Sequence, residues 1–184
     1  MEILKNDACY GKIPPETVDA VFDDAWSLGE QEGEKFVREH CQEDFDMLRI
    51  LRQLGFRIEE QNIDYVVGNV RYFCEYLPGK NQITIYSKGI TLWAETNELD
   101  FVSARNIILA HEFFHYLEAN HIGWVSKRCL VPMLRIGRFT LGKTGIAALS
   151  EVAANAFANI YYASYMECDF GHNTNKNDSG GVEL

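Results

Sequence analysis

No apolar run in this 184-residue chain approaches the roughly 20 residues that cross a bilayer, so no helical membrane span is expected. Met1 to Tyr10 lacks the basic-then-apolar order of a secretory signal. Cysteine pairs are missing too. The five cysteines are odd in number and widely spaced, and no two form C-x-x-C. That excludes a disulfide framework and a cysteine zinc site, and points to reduced thiols in a cytoplasmic protein. Basic charge is short, with 17 Lys and Arg against 27 Asp and Glu and a net charge of −10. Direct nucleic-acid binding, which needs a basic footprint, is therefore not expected, and a protein partner with a basic patch fits better. With only four prolines, no repeat and no low-complexity linker, one domain is expected over residues 1–170. Residues 171–184 read as a polar, disordered tail. A chain of this length can bury roughly 70% of its unfolded surface, so its core needs no disulfide or metal.

What is present reads as a mixture of helices and short strands. A helix begins at Pro14-Pro15, carries Val18, Val21, Phe22, Ala25 and Trp26, weakens at Gly29 and Gly33, and resumes through Phe36 and Val37. A second runs from Glu43 to Leu54 and stops at Gly55. Phe56 to Glu60 suits a strand. Asn69 to Tyr76 and Gln82 to Ser87 suit a hairpin joined across residues 77–81. Lys88 to Leu99 is undecided, with Thr91-Leu92-Trp93 as a short helix or a strand. Phe101 to Asn120 reads as one helix capped by Asp100, and a last helix runs from Thr144 to Tyr165. Between them, residues 122–143 read as a connection. Its Lys127, Arg128, Arg135, Arg138 and Lys143 meet no acid, so it is a solvated loop or a substrate-docking lid.

The chemistry is concentrated in His111-Glu112-Phe113-Phe114-His115, an H-E-x-x-H motif. Two histidines four apart lie one helical turn above each other and can grip one metal ion. Glu112 between them can take a proton from water at that metal, which is the core of a zinc-dependent hydrolase. Apolar residues on nearly every side of the helix imply burial, and buried polar groups need partners. A metal is one; backbone hydrogen bonds to two core histidines are the plainer alternative.

A catalytic zinc usually has three protein ligands, and two residues compete for the third place. Glu151 heads Glu151-Val-Ala-Ala-Asn155 in an alanine-rich helix, and Asn155 one turn on can accept a hydrogen bond from a ligating imidazole. His121 lies ten residues after His111, the spacing of the extended H-E-x-x-H-x-x-G-x-x-H pattern of metzincin-like proteases. Glu118 stands where that pattern has glycine, and a continuous helix would rotate His121 off the motif face. Tyr162, eleven residues after Glu151 on nearly the same face, is a candidate oxyanion donor, or simply a packing aromatic.

The hairpin, Ile108-Leu109-Ala110-His111-Glu112-Phe113-Phe114-His115-Tyr116 and Ser150-Glu151-Val152-Ala153-Ala154-Asn155-Ala156-Phe157-Ala158 together resemble the ImmA/IrrE-type metallopeptidases, over about residues 40 to 165. Glu151, Ala154, Asn155, Phe157 and Ala158 match that family's second motif, roughly E-x-E-A-N-x-F-A, whose second glutamate is Ala153 here. The resemblance implies an α+β, zincin-like fold: N-terminal helices, a small and mainly antiparallel sheet, and the motif helix packed on a C-terminal helix. It implies one Zn2+ held by His111, His115 and Glu151, with Glu112 as the base. It further implies peptide-bond hydrolysis in an intracellular protein such as a repressor-type transcription regulator. The competing expectation is a zinc-bearing module that holds a regulator without cutting it.

Overall fold

The computed structural model describes residues 1–42, 44–77 and 79–176. A single-turn helix, α1 (Glu2–Lys5), sends Leu4 into the core. The next helix, α2 (Val18–His40), runs unbroken through the glycines at which the sequence suggests weakening. Those glycines are contact points. A Cβ at Gly29 would overlap the carbonyl oxygen of Ala153, and one at Gly33 would lie 3.0 Å from the Cβ of Ile160. Tertiary approach thus outweighs the roughly 1 kcal/mol that glycine costs a helix interior.

Helix α3 (Met47–Gln53) starts at Asp46, whose side chain accepts from the Leu48 N–H at 3.0 Å. Five short strands follow: β1 (Arg57–Gln61), β2 (Tyr65–Val67), β3 (Val70–Tyr72), β4 (Cys74–Leu77) and β5 (Gln82–Tyr86). The segment expected as one strand over Asn69 to Tyr76 changes partner at Phe73. Before it, β3 pairs with β2 in a separate ribbon; after it, β4 forms the expected hairpin with β5. The main sheet is ordered β1-β5-β4, with β1 and β5 parallel and β4 at the border. Central β5 is the most buried strand of the main sheet because both its faces are covered; Ile83 and Ile85 are fully buried.

The undecided segment is helix α4 (Ser87–Thr96). Asp100 caps α5 (Phe101–Leu117), accepting from the N–H groups of Val102 and Ser103 at 2.8 and 3.0 Å. The α-helix stops three residues short of Asn120 and widens into a π-helical turn, Glu118–Ile122. The stretch read as a connection contains a two-stranded ribbon, β6 (Leu130–Ile136) and β7 (Phe139–Gly145), turning at Gly137 with φ +60°. Pro132 and Gly142 disguise these strands; an isolated ribbon has two open edges, where a proline removes no ladder bond.

Helix α6 (Ala148–Lys176) begins later than expected because Thr144 and Gly145 belong to β7. Its first N–H groups find a distant acceptor: the Ala148 N–H donates to Asp7 Oδ2 at 2.9 Å. It also outlasts the expected boundary at Gly171; the rest of the expected disordered tail, residues 177–184, lies outside the described residues. Three of the four strand pairings are antiparallel, and the architecture is α+β. Phe36 of α2 sits 5.0 Å from the ring of Phe113 and 5.4 Å from that of Phe157, locking α2, α5 and α6 into one core. No helix among the described residues is long and apolar enough to cross a membrane.

Candidate metal centre

The four-residue spacing in α5 brings His111 Nε2 and His115 Nε2 within 3.2 Å of each other. Across the helix interface, the Glu151 carboxylate in the first turn of α6 faces both. Its Oε2 lies 3.3 Å from His111 Nε2, and its Oε1 lies 3.5 Å from His115 Nε2. These three residues could hold a metal ion.

The outer ring nitrogens decide what the inner ones are. His115 Nδ1 faces Glu118 Oε2 at 3.5 Å, and an ionised carboxylate only accepts, so Nδ1 carries the proton. His111 Nδ1 faces Asn155 Oδ1 at 3.0 Å and, with the amide oxygen presented, donates as well. Both Nε2 atoms are then bare lone pairs, pointed at each other and at a carboxylate. Such a convergence of acceptors is repulsive without a cation between them. The spacing also fits one. Ligands about 2.0–2.1 Å from a tetrahedral ion stand about 3.3–3.4 Å apart. Nitrogen and carboxylate donors suit zinc and its first-row neighbours.

Electrostatics agree with the geometry. Burial disfavours the charged form of His115, yet Glu118, Glu151 and Glu112 together raise its pKa above the ordinary value. The His111 imidazole, its Nε2 3.3 Å away, leads in holding Glu151 below the usual carboxylate range, against the opposing effect of burial. The site therefore attracts positive charge.

Glu112 is held beside the donors but apart from them. Burial pushes its carboxyl above the ordinary value, against the pull of the two histidines and a hydrogen bond from the Tyr76 backbone N–H. It lines a cleft of about 340 Å³ with His111, Glu151 and Asn155. Phe73 and Cys74 at the start of β4, Trp93 of α4, Ile107 and Ile108 of α5 and Ala158 of α6 form the apolar wall, and Arg71 and Tyr72 of β3 overhang it. A larger cavity of about 430 Å³, between residues 11–16 and Pro132, holds no such cluster.

Two sequence candidates are not brought here. His121 sits in the π-helical turn, exposed, with its Nε2 3.3 Å from the Tyr116 hydroxyl. Glu118 stays helical at φ −56°, ψ −49°, so the chain does not turn back as an extended motif requires. Tyr162 stacks on Tyr165 with ring centroids 6.2 Å apart. Eleven residues of helix advance it about 16 Å along α6 from Glu151, so sharing a face does not mean sharing a site.

In the sequence Glu118 shows only as the residue standing where the extended motif has glycine. It is 2% exposed and bonded on all sides: the Val125 N–H donates to its Oε1 at 2.6 Å, and the Ser150 hydroxyl at 2.5 Å. Burial opposes its ionisation, but the bonds from His115, Ser150 and Val125 hold its carboxyl below the ordinary value. The available signal was its place three residues after His115, on the same helical face.

No protein-family description, curated protein or solved structure matches this chain.

Proposed function

We propose that this chain is a zinc-dependent peptidase with a zincin-like fold, cutting a protein substrate inside the cell. One observation carries the reading: two imidazole nitrogens and a carboxylate converge to within 3.5 Å of one another, next to a buried glutamate in an open, apolar-walled cleft. His111, His115 and Glu151 would hold the ion, with Asn155 and Glu118 fixing the two imidazole tautomers. Zinc in such a donor set supplies Lewis acidity, polarising a carbonyl and lowering the pKa of water.

Glu112 does the proton work. Its raised pKa brings it closer to neutral operating pH, where a carboxylate can accept the attacking water's proton and return it to the leaving amine. β4 borders the sheet and begins along the cleft, which favours an extended peptide lying beside it. Phe73, Trp93, Ile107 and Ile108 exclude water and favour an apolar side chain near the scissile bond. The ImmA/IrrE-like motifs make a repressor-type regulator the first substrate to try.

Metal analysis of the purified chain, then incubation with candidate repressors, tests the reading. Wild type should carry one zinc and cleave. Glu112→Gln should keep the zinc and lose about 10²–10⁴-fold in rate. A Glu112→Gln protein that retains full biological function would show instead a zinc-bearing binding module, and a chain that takes up no metal would end both readings.

A further inference from the structure

The β6–β7 ribbon has an apolar face that no other element covers among the described residues. Cross-strand register pairs Leu134 with Leu141 and Ile136 with Phe139, and opposite residues in an antiparallel pair share a face. Leu134, Ile136, Phe139 and Leu141 are 48%, 67%, 72% and 71% exposed. The N-terminal segment touches the ribbon at mid-strand, where Lys12 Nζ donates to the Met133 carbonyl, and the 430 Å³ cavity opens beside Pro132. Two strands alone are marginal in water, and an uncovered apolar ribbon asks for a partner.

Charge says which partner. Residues 119–150 hold five Lys and Arg and no acid, while the whole chain is at −10, so the remainder carries an excess of fifteen negative charges. A second ribbon would meet this one with like charge. The acidic remainder of another copy would not. The exposed acids Asp19 and Asp23 of α2 flank the stacked, half-buried pair Phe22 and Trp26, which offers apolar surface inside an acidic rim. The ribbon root lies beside the same helix, where Arg128 pairs with Asp24 at 3.4 Å. Anionic lipid and nucleic acid fit less well, since the rest of the molecule would be repelled.

We propose that the β6–β7 ribbon is a docking arm for a second copy of this chain, its apolar face seated on the acidic α2 surface of that copy. With a two-fold axis, both arms are exchanged and both faces are covered. The seven residues of each strand reach about 20 Å, the length of arm offered to the neighbouring copy.

Sedimentation equilibrium of the full chain, from micromolar concentration upward, tests this. Wild type should be a dimer. Phe139→Asp should weaken association at least about tenfold, as loss of a central aromatic anchor does. The double variant Asp19→Lys/Asp23→Lys should weaken it as well. Both changes are at exposed positions, and unchanged circular dichroism and metal content would show that the fold and the site are intact. A monomer at every concentration overturns the proposal, as does a dimer indifferent to either variant. A monomer that co-sediments with phosphatidylserine vesicles assigns the arm to anionic lipid and overturns it equally.

Discussion

Replacing Glu118 by Gln changes one oxygen to NH2 in a buried, fully bonded group, and the structure says what must follow. The amide oxygen can still accept from the Val125 N–H and the Ser150 hydroxyl, now 2.6 and 2.5 Å from the carboxylate. Two charge-assisted bonds become neutral ones, a loss of about 1 kcal/mol each. In a domain of this size about 2 kcal/mol lowers the melting temperature by about 4–8 °C. The other end of the amide faces His115 Nδ1 and donates where a carboxylate accepted. The imidazole proton then moves to Nε2, which is the atom that must be bare to bind metal. Metal affinity should fall by about 10–100-fold, measured by competition with a chromophoric chelator, with apo-protein melting followed by circular dichroism. The stability difference also depends on pH. The folded pKa of Glu118 lies below its unfolded value, so its contribution is complete above the unfolded value of about 4.3 and is lost as pH falls through the folded one. The melting temperatures of wild type and variant should converge in acid. A Glu118→Gln protein that binds metal as tightly as wild type would refute the assignment of the His115 tautomer and the role given to this carboxylate.

Asn155→Ala removes the acceptor facing His111 Nδ1 and should weaken metal binding by about 10–100-fold, whereas His121→Ala should leave it unchanged; the same chelator titration separates them. Gly29→Ala drives a methyl group into the Ala153 carbonyl, so overpacking of about 1–3 kcal/mol or more should exceed the helix-propensity gain of about 1 kcal/mol and lower the melting temperature. Asp100→Ala removes the α5 cap at a cost of about 1 kcal/mol at neutral pH. Hydrogen bonds from the Ser103 hydroxyl and N–H lead in depressing the Asp100 pKa, so that cost should vanish as pH falls through its folded value, as paired thermal melts would show.

The parts legible in the sequence are those whose signals lie within one helical turn. The four-residue intervals His111 to His115 and Glu151 to Asn155 placed each pair on one face, and Asp100 marked the start of α5. The β4–β5 hairpin was legible because both arms alternate around a turn. What escaped depends on distant partners. Glu118 owes its role to Ser150, 32 residues away, and α6 takes its cap from Asp7, 141 residues away. Gly29 and Gly33 look like helix breakers until α6 is placed against them. Tyr162 failed on axial rise, which a face-only argument ignores. The ribbon was hidden by a proline, which a strand with an open edge tolerates, and by a glycine, which weakens the strand signal.

The seating of α2 on α6 fixes an order of assembly. Gly29 and Gly33 meet residues more than 120 positions later in the chain, so α2 is synthesised long before the helix that packs on it exists. Contacts of such separation carry a loop-closure cost that local ones do not, and during synthesis they wait until α6 has emerged. Glu151 and Asn155 ride on α6 and reach the histidines of α5 only when that helix docks. A nascent chain that has emerged as far as α5 would present two histidines and a glutamate without their third donor. Any metal uptake would therefore wait for that docking, and the candidate metal centre would stay incomplete while the rest of the protein is being made.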